Sequence, residues 1–258
     1  LLIGATLKKG IRIKTTGKYS SRPYIDMTIQ VLKEAGLEVY EYESEFYVPG
    51  QTFKAKSLEP ESDWSSASYL YGLCALSEDG NIKLTGLNLP STQGDAVLST
   101  WMENYGVRTY ITGKKGVDVS RFGVLNLSGT FNFLSQPDLA PAIIVLTACL
   151  KQQLVFHGLA SLRLKESDRT SVLARELAKF NVQFREMDLG TWAIDARNFT
   201  WKPGIEIDPE NDHRIAMAFS LLSMVGESVT IRDAECVEKS FPDFWNQIQA
   251  AGARAEWL

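Results

Sequence analysis

The sequence is organised around residues 163–169, which read Arg163-Leu164-Lys165-Glu166-Ser167-Asp168-Arg169. Three cations and two carboxylates are followed by an amphipathic pattern over residues 172–180. Ser167 or Asp168 can accept the free N–H groups of a first helical turn, so the pattern predicts a loop that enters a helix. Such a helix start favours an anion. By itself, the run is equally typical of a charged first turn in water.

Composition indicates a globular protein with a sizeable core. The chain has 258 residues, of which 45% are hydrophobic and 22% are charged. Its net charge is −4, so there is no overall basic field and no nucleic-acid partner is expected. An anion site must therefore come from a local concentration of Lys and Arg.

Cysteine and histidine usage argues against a metal centre. The cysteines are Cys74, Cys149 and Cys236, which are far apart and lack metal-ligand spacing. The only histidines are His157 and His213. We therefore expect no metal, and reduced thiols in the cytoplasm. No apolar run reaches the length of a membrane span, so no membrane partner is expected.

Two kinds of helix alternate along the chain, each with starts roughly 70–75 residues apart. The first kind is predicted to begin at Asp26, Asp95, Asp168 and Asp243. The second kind is rich in small or apolar residues and is predicted to begin at Asp63, Asp138 and Asp212. Small residues on all sides favour helices that are packed on most of their surface.

Alternating apolar and polar residues predict strands between these helices, at residues 11–14, 81–84, 107–110, 182–184 and 228–231. Each unit is thus predicted to run βαβαββ in an α/β fold, with partly parallel sheets covered by helices on one side. When the repeat is extended back to the first residues of the sequence, they fall within a helix. We therefore expect a truncated form with a partial unit at residues 1–56 and a three-unit domain at residues 57–258.

Several segments carry a resemblance to a known family. The three main ones are Lys165-Glu166-Ser167-Asp168-Arg169, Asn211-Asp212-His213-Arg214 and Lys239-Ser240-Phe241-Pro242-Asp243. Residues 21–26, 63–69 and 91–95 agree with them in order and spacing. Together they resemble the 5-enolpyruvylshikimate-3-phosphate synthases (3-phosphoshikimate 1-carboxyvinyltransferases). The resemblance covers essentially the whole chain and implies the inside-out α/β barrel of the enolpyruvyl transferases, with the site in a cleft between two domains.

The resemblance also implies an activity. The family transfers the enolpyruvyl group of phosphoenolpyruvate to the 5-hydroxyl of shikimate 3-phosphate and releases phosphate, in the shikimate pathway to aromatic amino acids. It uses a tetrahedral intermediate and no cofactor, and the full-length enzyme is expected to be a cytoplasmic monomer. Since other family elements would lie before Leu1, the isolated fragment is expected to hold half of the site and to be inactive.

The shikimate 3-phosphate residues implied by the resemblance are Ser21, Asp138, Ser161 and Lys165. Asp138 resembles the proton acceptor for the attacking hydroxyl, although capping a helix would also explain an aspartate there. Ser161 stands where the family commonly has Asn, and its shorter reach puts that contact in question.

The phosphoenolpyruvate residues implied by the resemblance are Arg169, Arg214 and Lys239, each predicted at the start of a different helix. Guanidinium forks suit a carboxylate or phosphate edge. Glu166 resembles the carboxylate that exchanges a proton at the phosphoenolpyruvate methylene. His213 is interpreted either as a neighbour of the site or as a satisfied histidine at a helix start, and the second interpretation is favoured.

Two alternative functions stay open at this point. A related enolpyruvyl transferase acts on a UDP-amino sugar, specifically UDP-N-acetylglucosamine, and shares the repeat, but lacks the Lys-Glu-Ser-Asp-Arg pattern. A non-catalytic repeat module would only bind partners and would have no need for Arg169, Arg214 and Lys239 at matching positions.

Overall fold

The computed structural model describes residues 1–17, 19–54, 57–113, 115–123, 125–127 and 130–257. The α-helices are α1 (Arg22–Glu34), α2 (Trp64–Leu76), α3 (Leu98–Trp101), α4 (Ala140–Cys149), α5 (Arg169–Ala178), α6 (His213–Phe219) and α7 (Phe244–Ala250). The strands are β1 (Ile11–Lys14), β2 (Tyr40–Tyr42), β3 (Glu45–Val48), β4 (Asn81–Thr85), β5 (Val107–Ile111), β6 (Gly116–Arg121), β7 (Phe131–Asn132), β8 (Gln153–His157), β9 (Gln183–Asp188), β10 (Thr191–Asp195), β11 (Glu206–Ile207) and β12 (Thr230–Ile231).

The predicted βαβαββ unit is confirmed most clearly between β7 and β10. Its elements follow in the order β7, α4, β8, α5, β9 and β10, and its sheet has the order β7-β8-β10-β9. β7 and β8 are parallel, with Phe131 opposite Phe156, whereas β10 pairs antiparallel with both β8 and β9. The expected partly parallel sheet is therefore present.

The other sheets show parts of the same unit. The sheets β1-β3-β2 and β4-β6-β5 are antiparallel throughout, and β11 pairs with β12 in parallel. Along the sequence, α6 lies between β11 and β12, and α7 follows β12. The fold is α/β, as predicted.

The core is built on the small-residue helices. Every residue of α4 is buried, and α4 packs against both α2 and α6. A small residue also allows the segment after α6 to approach α2 closely: a Cβ on Gly72 of α2 would lie 2.8 Å from Cδ1 of Leu221, in the 3₁₀ helix Ser220–Met224. The prediction that these helices are packed on most sides is confirmed.

A second, smaller cluster of buried residues lies near the start of the chain. Its members are Ala5, Leu32, Ala35, Leu37 and Val48. The predicted domain boundary follows Lys56, which lies outside the described residues together with Ala55, and the predicted second domain ends at Leu258, which is also outside them. The division into residues 1–56 and 57–258 stays a prediction.

Three of the predicted helix starts are confirmed as aspartate caps. The Asp63 carboxylate accepts from the amides of Ser65 and Ser66, and Asp168 accepts from the Ser171 amide. Asp212 accepts from the amide at position 214. In each case the carboxylate satisfies an N–H group that the first turn leaves free.

Of the other four predicted starts, the position of Asp243 is confirmed, whereas those of Asp26, Asp95 and Asp138 are wrong. Asp26 lies inside α1, which begins four residues earlier because Pro23 suits a first turn. Asp95 is a buried member of a 3₁₀ turn, and Asp138 lies within the 3₁₀ helix Pro137–Leu139. Asp243 precedes α7, but its side chain makes no cap bond to the backbone.

Within the described residues, no helix is both long enough and apolar enough to cross a membrane.

Candidate functional site

The loop that leads from residue 159 into α5 carries a cluster of charged side chains. A 3₁₀ helix, Ala160–Leu164, leads to Asp168, whose carboxylate accepts from the Ser171 amide at 3.1 Å. This cap fixes the start of α5 and leaves Lys165, Glu166 and Arg169 for other contacts. The prediction of a loop entering a helix is confirmed.

Arg169 is the buried centre of the cluster, with a side chain that is 1% exposed. Its Nε donates to Asp212 Oδ2 at 2.8 Å and its Nη1 to Asp138 Oδ1 at 3.1 Å. Its Nη2 donates to Glu166 Oε2 at 2.7 Å. A buried guanidinium needs such partners, because an unpaired charge away from water is costly.

Asp212 joins the starts of two helices. One carboxylate oxygen caps α6 through the Arg214 amide at 3.0 Å, and the other accepts from Arg169 Nε at the start of α5. The Ser167 hydroxyl also donates to it at 3.1 Å. The Asp212 side chain is fully buried, so it holds the starts of α5 and α6 in fixed positions.

Asp138 is surrounded by three cations instead of capping a helix. Its Oδ1 lies 3.3 Å from Lys165 Nζ and 3.1 Å from Arg169 Nη1, and its Oδ2 lies 3.1 Å from Arg214 Nη2. Burial acts to raise the pKa of Asp138, but the charges of Arg214, Lys165 and Arg169 outweigh it and hold this pKa below its ordinary value.

Glu166 bridges the buried arginine and an exposed lysine. Lys239 Nζ donates to its Oε1 at 2.7 Å, and Arg169 Nη2 donates to its Oε2 at the same distance. Burial opposes ionisation, but the bonds from Lys239, its own backbone amide and Arg169 lower the pKa of Glu166 to about 2. Glu166 is therefore ionised in this arrangement.

The positions of the three expected phosphoenolpyruvate cations need one correction. Arg169 opens α5 and Arg214 is the second residue of α6, as predicted. Lys239, however, is the last residue of the 3₁₀ helix Ala234–Lys239 and does not start a helix. Its contact with Glu166 is what brings it to the cluster.

The two predicted serines lie outside this hydrogen-bonded cluster. Ser21 precedes α1, and its amide donates to the Leu134 carbonyl at 2.9 Å, near the start of the segment that leads to Asp138. The Ser161 hydroxyl is buried and has no hydrogen-bond partner in the structure. Among the described residues, neither serine side chain bonds to the charged cluster.

Further buried polar atoms without hydrogen-bond partners lie around the cluster. They are Tyr24 OH, Tyr69 OH, Asp95 Oδ1 and His213 Nδ1. The interpretation of His213 as a satisfied histidine is therefore wrong for Nδ1, although the residue does open α6 as expected. Burial, followed by the charge of Arg214, lowers the pKa of His213.

Asp95 and Tyr69 are polar groups that sequence reasoning did not assign to the site. Asp95 is buried, and its Oδ2 accepts from the Ser65 hydroxyl at 2.6 Å. Burial raises the pKa of Asp95 to about 6. Both residues belong to segments noted for their resemblance, but an aspartate near a helix start and a tyrosine in an apolar helix are ordinary structural residues.

The described part of the chain contains no cluster of His, Cys, Asp or Glu side chains arranged to hold a metal ion. A crevice of about 1020 Å³ lies elsewhere, beside β12 and the start of the tail after α7. None of the predicted site residues lines that crevice.

The profile of one family, EPSP synthase (3-phosphoshikimate 1-carboxyvinyltransferase), matches residues 1–248. The chain belongs to the EPSP synthase family. The resemblance of the three motifs is thereby confirmed, and the UDP-sugar alternative gains no support.

Curated relatives agree with this assignment. The chain is 34% identical to a 3-phosphoshikimate 1-carboxyvinyltransferase from Bacteroides fragilis, over 98% of this chain and 62% of the relative. It is 33% identical to one from Methanothermobacter thermautotrophicus, over 98% of this chain and 58% of the relative. The chain thus spans about 60% of the length of these EPSP synthase relatives.

Solved structures support the fold. EPSP synthase from Acinetobacter baumannii superposes with a TM-score of 0.74 at 26% identity, covering 99% of this chain and 60% of that one. The enolpyruvyl transferase NikO from Streptomyces tendae has a TM-score of 0.64 at 16% identity, covering 98% of this chain and 58% of that one, a likeness of fold alone. The predicted inside-out α/β fold of the enolpyruvyl transferases is confirmed.

Proposed function

We propose that the protein transfers the enolpyruvyl group of phosphoenolpyruvate to the 5-hydroxyl of shikimate 3-phosphate and releases phosphate. The observation that carries this proposal is the pair of carboxylates, Asp138 and Glu166, each ion-paired with Arg169 and at least one other cation. Two proton-transfer groups beside several fixed cations suit a reaction between two phosphorylated acids.

The cations differ in how readily they can turn to a substrate. Arg169 is buried under three carboxylates. Among the described residues, Arg214 has one ion pair, with Asp138, and Lys239 has one, with Glu166. Lys239 is also 58% exposed. We therefore assign Arg214 and Lys239 as the cations that first meet phosphoenolpyruvate, with Arg169 as the fixed charge behind them.

Substrate binding in this proposal is an exchange of anions. The carboxylate and phosphate of phosphoenolpyruvate take over N–H donors that Asp138 and Glu166 hold in the ligand-free protein. Glu166 then loses the bond from Lys239, which is one of the interactions that lower its pKa, so its pKa rises. A carboxylate with a raised pKa can give a proton to the methylene carbon and take it back.

Asp138 becomes a base by the same exchange. Its pKa is held low by Arg214, Lys165 and Arg169 against the effect of burial. When Arg214 turns to phosphoenolpyruvate, the carboxylate loses one cation and becomes a better acceptor for the proton of the 5-hydroxyl. Lys165, Ser21 and Ser161 are the groups that we assign to shikimate 3-phosphate.

The proposal also covers the cellular compartment, the oligomeric state and the cofactor requirement of the enzyme. Cys74, Cys149 and Cys236 are free thiols, which suits the cytoplasm, and we propose a monomeric enzyme there. The proton transfers are assigned to side chains of the protein, without a metal or an organic cofactor.

The test is phosphate release by the protein expressed at the length that its gene encodes. Phosphoenolpyruvate is supplied with either shikimate 3-phosphate or UDP-N-acetylglucosamine. We expect release only with shikimate 3-phosphate. Release only with the UDP-sugar would support the related transferase, and release with neither acceptor would support a non-catalytic module.

A further inference from the structure

Tyr69 is a buried residue of α2 that no role in the reaction yet explains. Its side chain is fully buried, and its ring meets Phe244 of α7 edge-on, with centroids 5.6 Å apart and planes at 81°. The ring is therefore held in place by packing. Its hydroxyl is also buried, yet it makes no hydrogen bond of normal geometry.

The surroundings of this hydroxyl are charged. Tyr69 interacts electrostatically with Arg214, Arg169 and Asp138, which come from three other parts of the fold. Burial raises the pKa of Tyr69 to about 12, so the phenol is neutral. A neutral phenol oxygen can accept a hydrogen bond from a guanidinium, and buried tyrosine hydroxyls usually have a partner.

Arg214 is the cation best placed to supply that bond. Its side chain is 13% exposed and its Nη2 lies 3.1 Å from Asp138 Oδ2. Burial acts to lower the pKa of Arg214, but the neighbouring Tyr69 and Asp138 raise it. The guanidinium therefore has the Asp138 carboxylate and the Tyr69 phenol among its neighbours, together with the carboxylate of Asp63.

We propose that Tyr69 is a positioning residue for Arg214. When Arg214 leaves Asp138 for an anionic substrate, the fixed phenol oxygen accepts one of its N–H groups and holds the guanidinium fork toward the carboxylate or phosphate of phosphoenolpyruvate. The inference rests on the proposed function, because it assigns Arg214 to that substrate. In this arrangement, the neutral phenol of Tyr69 accepts a hydrogen bond from Arg214, whose positive charge contacts the substrate.

Tyr71 provides a matched control in the same helix. It is also fully buried, but its hydroxyl has a partner, Thr109 Oγ1, at 2.8 Å. Tyr69→Phe removes a hydroxyl that makes no hydrogen bond of normal geometry among the described residues and that interacts with Arg214. Tyr71→Phe removes a hydroxyl whose hydrogen bond supports the fold.

The experiment compares both variants in the protein at its gene-encoded length. Phosphoenolpyruvate binding is measured by calorimetry and stability by the urea midpoint of unfolding. We expect Tyr69→Phe to weaken phosphoenolpyruvate binding about tenfold with an unchanged midpoint. We expect Tyr71→Phe to lower the midpoint and leave the affinity unchanged.

A double-mutant cycle separates positioning from a general effect on packing. In an Arg214→Ala background, Tyr69→Phe should cause no further loss of affinity, because the group that it orients is gone. An unchanged affinity in the single variant, or an equal loss with and without Arg214, would overturn the inference.

Turnover with shikimate 3-phosphate keeps the two proposals apart. A wild-type protein that binds phosphoenolpyruvate but gives no turnover would contradict the proposed function, while the binding data still decide the role of Tyr69. A wild-type protein that does not bind phosphoenolpyruvate would contradict both.

Discussion

Asp212 and Arg169 form a fully buried ion pair, with Nε 2.8 Å from Oδ2, and the same aspartate caps α6. The pair joins residues that are far apart in sequence and lie at the starts of α5 and α6. The orientation of the charged cluster therefore depends on the carboxylate of Asp212, which is fully buried.

Asp212→Asn should destabilise the fold. An asparagine can still cap α6, but it removes the negative charge from the buried guanidinium of Arg169. We expect the free energy of unfolding to fall by about 1.5–3 kcal/mol in urea denaturation. Asp243→Asn is the control, because Asp243 precedes α7 without a cap bond and should change stability little. Equal effects of the two variants would contradict the structural role of Asp212.

Arg214→Ala should mainly weaken phosphoenolpyruvate binding. Loss of one charge-assisted contact should cost about 1.5–3 kcal/mol, or roughly 10- to 150-fold in affinity by calorimetry. Arg232→Ala removes an arginine that pairs with Glu206 outside the cluster and should leave the affinity unchanged. A normal affinity in Arg214→Ala would remove Arg214 from the substrate site.

Arg169→Ala should differ from Arg214→Ala in its effect on stability. Arg169 is buried against three carboxylates, so its removal leaves Asp212, Asp138 and Glu166 without their shared cation. We expect a loss of about 3–5 kcal/mol in the free energy of unfolding, in addition to weaker phosphoenolpyruvate binding. A stability equal to that of Arg214→Ala would contradict the central position of Arg169.

Asp138→Asn should affect the chemical step. The amide keeps the size of the side chain but cannot accept the proton of the 5-hydroxyl, so kcat should fall by roughly 100- to 10,000-fold. Binding of both substrates should change much less. Asp168→Asn is the control, because an asparagine can keep the cap of α5. Near-normal turnover in Asp138→Asn would show that the reaction needs neither the negative charge of Asp138 nor proton acceptance by it.

Asp95 should make stability depend on pH. Its pKa rises from an ordinary value of 3.8 to about 6 on folding, so its favourable contribution is present below pH 3.8 and is lost as the pH rises through 6. Asp95→Asn removes this dependence. The free energy of unfolding of the variant, relative to wild type, should therefore increase by about 1–3 kcal/mol from pH 4 to pH 7. A difference that is constant with pH would contradict this assignment.

The sequence was most informative where structure depends on neighbouring residues. The caps at Asp63, Asp168 and Asp212 were predictable, because a short carboxylate before a helix satisfies local N–H groups. Asp138 has the same local pattern but behaves differently, since three cations distant in sequence bind its carboxylate. The predicted start of α1 at Asp26 is wrong, because Pro23 suits a first turn and the helix begins at Arg22.

The residues of the cluster were predictable only through family resemblance. The contact between Lys239 and Glu166 joins positions 73 residues apart, and no local pattern indicates such a pairing. Tyr69 and Asp95 were missed because their role depends on burial, which a tyrosine or an aspartate does not reveal in the sequence. The assignments of Ser21 and Ser161 to shikimate 3-phosphate stay predictions, because no described contact joins either side chain to the charged cluster.

The most direct test follows hydrogen exchange at the methylene of phosphoenolpyruvate. The wild-type protein, at its gene-encoded length, is incubated in deuterated water with phosphoenolpyruvate and shikimate 3-phosphate, and recovered phosphoenolpyruvate is analysed by mass spectrometry. We predict deuterium incorporation by wild type and by the Asp168→Asn control. Glu166→Gln should bind phosphoenolpyruvate but incorporate deuterium at least ~100-fold more slowly, because an amide cannot transfer the proton. Incorporation by Glu166→Gln at the wild-type rate would contradict the account.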